Sequence, residues 1–232
     1  METTPLAIDI ETTGRDWDEF SAEIQKYLLE RKSNEDIDEA TVIDRLGLHP
    51  GTGKIIAIGM WRPVENSGGL LLESSKKTAW TDMEGVNAKV YQGTEKDLLE
   101  QFWSVLNKSI STIITYNGRS FDGPYLLIRS SMLEVKPSRN LLPYRYSFNQ
   151  HCDLAEVLSF HRSRPLDSFD FWCQQFGIES PKDELDGSKV RDAYERGETE
   201  SIGRYALRDA WATAELYKKL RPLIHLLDSK ST

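Results

Sequence analysis

Short apolar runs alternate along the chain with longer stretches in which apolar residues recur every three to four positions. The short runs are rich in β-branched residues, which favour strands, whereas the longer spacing is typical of amphipathic helices. Strands are predicted at 6–10, 54–61, 70–72 with 78–80 as a hairpin-like partner, 111–116 and 144–148. Helices are predicted at 20–31, 36–46, 94–107, 122–133, 153–160, 168–176, 187–196 and 198–220. This order predicts an α/β protein whose central mixed sheet is covered by helices on both faces.

The stretch 15–50 departs from this order, because it is polar, acidic and helix-patterned between two predicted strands. It is interpreted as a helical insertion after the first strand. A lid, a dimer contact or a surface decoration are its possible roles, and decoration is favoured. The nine prolines are dispersed and mark no linker. Since a domain typically spans about 100–200 residues, 1–232 is predicted to form a single domain.

Composition narrows the functional classes. Hydrophobic residues make up 39% of the chain and charged residues 28%. This hydrophobic fraction is large enough to form a core and is higher than is typical of a disordered chain. No run approaches the ~18 uncharged apolar residues of a membrane-spanning helix, so no membrane partner is expected. Cys152 and Cys173 cannot build a disulfide framework, which favours a reducing, cytoplasmic location. The 29 basic and 37 acidic residues give a net charge of −8, which argues against non-specific coating of nucleic acid.

Asp9 and Glu11 flank Ile10 at the end of the first predicted strand. Because side chains alternate along a strand, the two carboxylates point to the same face. Adjacent buried acids repel each other and lose hydration, so each is costly unless a cation or a proton neutralises it. For this pair alone, an exposed strand end with both acids solvated is the simpler alternative.

Two further acids, Asp122 and Asp209, are predicted to lie on helices. Asp122 starts a predicted helix, where it could simply cap the N-terminus. Tyr205 and Asp209 are four residues apart and share one helix face, with Asp209 on the core-facing stripe. Judged alone, this pair could be a satisfied hydrogen bond in the core. Together with Asp9 and Glu11, however, the chain offers four hard oxygen ligands, which suit two Mg²⁺ or Mn²⁺ ions rather than zinc.

Three segments resemble the motifs of the DEDD 3′–5′ exonucleases, which have a ribonuclease H-like fold. They are Asp9-Ile-Glu11-Thr, Asn117-Gly-Arg-Ser-Phe121-Asp122 and Tyr205-x-x-x-Asp209. Tyrosine four residues before the last acid resembles the DEDDy subclass, as in the proofreading domain of family B DNA polymerases. The histidine subclass would need His where Arg204 stands. The chain resembles in particular the stand-alone, polymerase-B-like predicted exonucleases, and a central mixed sheet of five or six strands is expected.

The resemblance also implies a role for each acid. Asp9 would bridge both metal ions, and Glu11 and Asp209 would hold the ion that binds the attacking water. Asp122 would help to hold the other ion. Tyr205 would orient the water through its hydroxyl and is counted with these four acids among the catalytic residues.

The same resemblance places the substrate. Asn117 and Phe121 would position the terminal nucleotide, and Thr12 would contact the 3′ end. The segment 119–164 is basic, with seven cations against four acids, and has aromatic residues interspersed, which is typical of a single-strand groove as well as of an ordinary solvated surface. Arg119 is the preferred phosphate contact, because it lies inside the second motif.

Two other patterns carry no site. The segment His49-Pro-Gly-Thr-Gly-Lys54 has Leu48 where a phosphate-binding loop needs Gly, and Ile55 where it needs Ser or Thr. His151 and Cys152 lack a second ligand pair at zinc spacing.

The expected function is therefore a two-metal-ion 3′–5′ exonuclease that acts on single-stranded 3′ ends and releases nucleoside 5′-monophosphates. The family B likeness favours DNA over RNA as the substrate. Two alternatives stay open: a catalytically silent nucleic-acid-binding module on the same fold, and an RNA 3′-end-processing exoribonuclease.

Overall fold

The computed structural model describes residues 4–31, 38–106, 109–179 and 189–228. The strands are β1 (Thr4–Gly14), β2 (Gly53–Arg62), β3 (Ser67–Glu73), β4 (Thr81–Asp82), β5 (Ala88–Gly93), β6 (Ile110–Thr115) and β7 (His151–Asp153). The helices are α1 (Ala22–Glu30), α2 (Glu39–Asp44), α3 (Glu95–Val105), α4 (Asp122–Met132), α5 (Leu154–Leu158), α6 (Phe169–Gln175), α7 (Val190–Glu195) and α8 (Thr199–Asp228). The predicted helix positions 36–37, 107 and 187–188 lie outside the described residues.

All seven described strands join one sheet in the order β4-β5-β3-β2-β1-β6-β7. β1, an interior strand of the sheet, pairs antiparallel with β2 and parallel with β6. β3 pairs antiparallel with β2 and parallel with β5. The expected α/β class with a mixed sheet flanked by helices is confirmed and is compatible with the ribonuclease H-like fold.

The expected number of strands was too low, because the sheet has seven described strands and five or six were expected. β4 and β7 contain two and three residues, which is too short for alternation to be read from the sequence. The hairpin predicted between 70–72 and 78–80 is wrong, because β3 pairs with β2 and β5 instead. The predicted strand at 144–148 is also wrong; this segment forms turns, and the strand begins at His151.

The predicted insertion at 15–50 contains α1 and α2, together with single 3₁₀ turns at Trp17–Glu19 and Leu46–Leu48. That 1–232 forms one domain stays a prediction. α8 continues to Asp228, eight residues beyond the predicted end, with Pro222 inside it.

The two faces of β1 bury different layers. Leu6, Ile8 and Ile10 belong to a core cluster with residues of α3 and α4, such as Phe102. Ala7 belongs to the opposite cluster, which includes Ala210 and other residues of α8. Side chains alternate along a strand, so Asp9 and Glu11, two and four residues after Ala7, lie on the same face as Ala7 and point towards α8.

Candidate active site

α8 approaches the sheet very closely at Gly59 of β2. A Cβ atom added to Gly59 would lie 2.1 Å from the carbonyl oxygen of Ala206 in α8. Gly59 is also the β2 residue paired with Asp9. The missing side chain therefore lets the helix backbone lie against the strand next to Asp9, which brings Tyr205 and Asp209 towards the acids of β1.

Three carboxylates converge at this contact. One oxygen each from Asp9, Glu11 and Asp209 lies within 4.8 Å of the other two. Glu11 and Asp209 are buried, each 8% exposed, whereas Asp9 is half-buried. The carboxylates of Asp9 and Glu11 lie close enough for each to shift the pKa of the other. Two acidic oxygens this close repel each other when both are ionised, and a cation bound between them would offset the repulsion.

Asp122 lies next to this trio, as the first residue of α4. Its carboxylate Oδ1 accepts a hydrogen bond from the backbone N–H of Ile10, at 3.2 Å. Asp122 is not among the three acids whose oxygens lie within 4.8 Å of one another, but its charge contributes to the raised pKa of both Asp9 and Glu11. The structure thus brings all four predicted acids into one region.

Burial raises the pKa of all four acids, and repulsion from the other acids of the site adds to this shift for Asp9 and Glu11. The pKa of Asp9 lies well above its usual value, first because of burial and then because of the charges of Asp209, Glu11 and Asp122. Burial, followed by the charges of Asp209 and Asp122, raises the pKa of Glu11. Burial raises the pKa of Asp122 to about 7 and that of Asp209 to about 7, although hydrogen bonds to each carboxylate oppose this shift.

The carboxylate of Asp209 provides a direct test of whether a cation fits. The hydroxyl of Tyr205, one helical turn earlier, lies close enough to this carboxylate to lower the pKa of Asp209, and burial raises the pKa of the phenol above its ordinary value. One carboxylate oxygen, Oδ1 of Asp209, is buried without a hydrogen-bond partner in the described structure. Such an oxygen among raised-pKa carboxylates fits a hard divalent cation that accepts oxygen ligands.

A cavity of about 550 Å³ opens beside Glu11 and is lined by Thr12 and Phe121. The insertion supplies part of its wall through Gly47 and Leu48. The hydroxyl of Thr12 already donates a hydrogen bond to the carbonyl oxygen of Gly47, at 2.7 Å. The insertion therefore borders the candidate site, a placement that the pattern of 15–50 did not predict.

The loop after β6 carries the second motif and is held by Asp153. Asn117 has a φ of 63°, and its backbone N–H donates to one carboxylate oxygen of Asp153 at 2.8 Å. The N–H of Arg119 donates to the other oxygen, at 2.9 Å. Asp153 also caps α5 by accepting from the N–H of Ala155. The sequence contained no signal for the contact of Asp153 with the loop, since 34–36 residues separate the partners.

Arg119 is placed differently from the expectation of a phosphate contact. Its side chain is 8% exposed and lies near the buried carboxylate of Glu156, at 3.6 Å. Its guanidinium donates to the backbone carbonyls of Pro143 and Tyr144. Because these contacts turn the charge inward, Arg119 supports the 143–144 segment in this conformation and is not free to bind a phosphate.

Comparison with known proteins bears on what this site does. Residues 69–232 match the model of a family described as predicted 3′–5′ exonucleases related to the exonuclease domain of family B DNA polymerases. The chain belongs to this family. The matched residues include Asp122, Tyr205 and Asp209, whereas Asp9 and Glu11 precede them. Membership of this family supports, at the level of the family, a 3′–5′ exonuclease activity on a nucleic acid substrate.

The exonuclease family assignment agrees with individual relatives. The chain is 32% identical over 146 residues to a DNA polymerase of Desulfurococcus sp. (strain Tok), covering 56% of this chain and 19% of the polymerase. It is 29% identical over 167 residues to a DNA polymerase of Thermococcus gorgonarius, covering 65% and 21% respectively. The chain therefore spans about a fifth of the length of these polymerases.

The exonuclease fold agrees with a solved structure. The family B DNA polymerase from the hyperthermophilic archaeon Pyrobaculum calidifontis matches 99% of this chain and 28% of its own, with a TM-score of 0.61 and 17% sequence identity. At that identity the match shows the fold alone. None of the helices in the described ranges has the length and apolar character of a membrane span.

Proposed function

We propose that this chain is a two-metal-ion 3′–5′ exonuclease of the tyrosine subclass that shortens single-stranded nucleic acid, with DNA as the preferred substrate. The observation that carries the proposal is the convergence of Asp9, Glu11 and Asp209 to within 4.8 Å, next to Asp122. Keeping four repelling acids together without a counter-charge is costly, and a phosphodiesterase uses such a set to hold its cations.

Asp9, Glu11, Asp122 and Asp209 would hold two Mg²⁺ or Mn²⁺ ions. When bound, such ions lower the pKa of the attacking water and offset the charge on the departing oxygen. The unpartnered Oδ1 of Asp209 and the close approach of the Asp9 and Glu11 carboxylates support this assignment. In both places a cation would satisfy oxygens that are otherwise short of positive charge.

Tyr205 would orient the attacking water. Burial raises the pKa of its phenol, so the hydroxyl stays protonated at neutral pH and acts as a hydrogen-bond donor and acceptor rather than as a base. Its contact with Asp209 keeps this hydroxyl at the carboxylate cluster. The water oxygen would bond to phosphorus, and the bond between phosphorus and O3′ of the preceding nucleotide would break. The products would be a nucleoside 5′-monophosphate and a shortened strand with a new 3′-hydroxyl.

The terminal nucleotide would occupy the cavity beside Glu11. Phe121 lies half-buried on its wall with its ring centroid 5.3 Å from that of Tyr125, which fixes a flat apolar surface for a base. Asn117 would position the same nucleotide together with Phe121, and Thr12 would contact the 3′ end. The cavity volume falls in the range of roughly 300–1,000 Å³ typical of small-molecule sites.

A degradation assay tests the proposal. We expect purified protein with Mn²⁺ to convert a 5′-labelled single-stranded DNA oligonucleotide into a ladder of shorter strands, and chelator to stop the reaction. RNA of the same sequence should be degraded more slowly. Asp9→Ala should abolish release while far-UV circular dichroism stays unchanged. Release by Asp9→Ala at the wild-type rate would end the assignment, and binding without release by the wild type would favour the silent module.

Tyr205→Phe separates water orientation from metal binding. The variant keeps the ring and all four acids, so we expect kcat to fall by about 10²-fold, within the range of positioned proton-donor groups, with KM nearly unchanged. Calorimetric titration with Mn²⁺ should still detect binding. A Tyr205→Phe variant with wild-type kcat would remove the hydroxyl from the mechanism.

A further inference from the structure

The basic residues of 119–164 differ in which groups of the protein they contact. Four of the seven are already engaged: Arg119 and Arg145 with Glu156, Arg129 with Glu95, and Arg139 with the backbone carbonyls of Ile110 and Ser111. Their charges are directed at acids or carbonyls of the protein itself. They therefore stabilise the fold and are poorly placed to meet a bound strand.

Arg162 differs in what it contacts. Its Nη2 donates to Oδ1 of Asn117, at 2.5 Å, and to Oγ of Ser120, at 3.0 Å. Both acceptors are neutral, and no carboxylate of the described residues forms an ion pair with Arg162. Phe121, which follows Ser120, lines the cavity beside Glu11. An exposed guanidinium with an unbalanced charge thus lies at the loop proposed to hold the terminal nucleotide.

An unusual backbone brings Arg162 to this place. Phe160, His161 and Arg162 have φ values of 49°, 56° and 69°, which non-glycine residues adopt rarely and seldom three in succession. The turn is held by hydrogen bonds from His161 N–H to the carbonyl of Glu156, at 2.7 Å, and from Arg162 N–H to Oγ of Ser159, at 3.1 Å. Strained segments held in this way concentrate at functional sites.

The turn and the motif loop form one unit. The turn follows α5, and Asp153 at the start of α5 binds the backbone of Asn117 and Arg119. Asn117 is thus held by its backbone at one end of this short helix and by its side chain through Arg162 at the other. This arrangement fixes the guanidinium relative to the cavity.

We propose that Arg162 binds a backbone phosphate of the substrate strand next to its 3′-terminal nucleotide, an inference that rests on the proposed function. Arginine donates several hydrogen bonds in a plane, so it can contact a phosphate while it keeps Asn117 or Ser120 in place. The phosphate role that the sequence suggested for Arg119 therefore passes to Arg162. Arg191 also lines the cavity, but its guanidinium is paired with Asp44 and Glu195. A fixed cation without a carboxylate partner would therefore help to hold a polyanion at this site.

Salt dependence of binding distinguishes a phosphate contact from a structural role. Each phosphate contact on a single strand contributes about 0.7 to the slope of log K against log salt. We expect Arg162→Gln to reduce this slope by about 0.7 and to weaken binding about tenfold at low salt, measured by anisotropy of a fluorescent single-stranded DNA oligonucleotide in chelator. Arg162→Lys keeps the charge and should keep the slope. The slope of log kcat/KM in Mn²⁺ provides a second measurement.

Arg221→Gln is the matched control. It removes the same charge from an exposed position on α8, roughly 18 Å along the helix from Asp209 at 1.5 Å per residue. The control should retain the wild-type slope. An unchanged slope in Arg162→Gln, or an equal loss in Arg162→Lys, would overturn the inference even if the wild type releases nucleotides. A wild type that neither binds nor degrades the oligonucleotide would instead refute the proposed function.

Discussion

The carboxylate of Asp122 accepts a hydrogen bond from the backbone N–H of Ile10, 112 residues earlier in the chain. Ile10 lies between Asp9 and Glu11, so this bond joins the start of α4 to the strand that carries two of the acids. It also fixes which way Asp122 faces. One backbone hydrogen bond in the core of the sheet thereby sets the position of the fourth acid relative to the other three.

The raised pKa values predict how metal and pH affect stability. The pKa of Asp122 and of Asp209 is about 7 in the folded, metal-free protein, whereas an unfolded aspartate titrates near ~3.9. Between these values the folded state binds more protons, so the contribution of both groups to stability falls as pH rises from about 4 to 7. Metal binding requires the deprotonated acids. Saturating Mn²⁺ should therefore raise Tm by more at pH 8 than at pH 5.5.

Differential scanning calorimetry at matched ionic strength checks this expectation. Equal increments of Tm at both pH values would mean that the acids do not bind the metal through their ionised forms. A larger increment at pH 5.5 would contradict the direction of the two pKa shifts.

Asp209→Asn should stabilise the metal-free protein while abolishing nucleotide release. The substitution removes a buried charge that repels Asp9 and Glu11 and keeps the shape of the side chain. We expect the free energy of unfolding in chelator at pH 8 to rise by on the order of 1–3 kcal/mol, with a smaller gain at pH 5. Urea titration measures the change.

Asp82→Asn serves as the control for Asp209→Asn. Its side chain is 88% exposed and lies 3.8 Å from Lys89, so it should change stability by no more than about 0.5 kcal/mol and leave activity intact. A destabilised Asp209→Asn protein in chelator would indicate that the contact of the carboxylate with Tyr205 outweighs its repulsion of Asp9 and Glu11.

Gly59→Ala should damage the site without touching any acid. Its Cβ would come within 2.1 Å of the carbonyl oxygen of Ala206, so α8 must move away from β2. We expect a loss of about 1–3 kcal/mol in the free energy of unfolding, typical of overpacking. We also expect kcat to fall by about 10²-fold, since displacement of Tyr205 and Asp209 misplaces the catalytic groups.

Gly69→Ala on the neighbouring strand is the comparison for Gly59→Ala. Its Cβ would meet Cε of Met60 at 3.3 Å, the flexible end of a side chain that can adjust. Its stability and kcat should stay close to wild type. Equal behaviour of both alanine variants would mean that the contact between Gly59 and α8 does not set the site.

The sequence predicted the orientation of a side chain correctly where that orientation depends on residues nearby in the chain. Strand alternation predicted that Asp9 and Glu11 share a face, and the helical spacing predicted that Tyr205 and Asp209 do so. The surroundings of Arg119 could not be predicted, because an arginine inside a motif has the same sequence signature whether it faces a phosphate or, as in the structure, Glu156.

The sequence by itself determined the elements that carry the acids, the faces on which Asp9, Glu11 and Asp209 lie, and the resemblance to the exonuclease motifs. These properties depend on neighbours two to four residues apart, which a linear pattern encodes. The tertiary structure decided how α8 meets β2 at Gly59, which loop Arg162 reaches, and that the insertion borders the cavity through Leu48. Those contacts join residues far apart in the chain. They follow from close packing of complementary surfaces, which no local periodicity records.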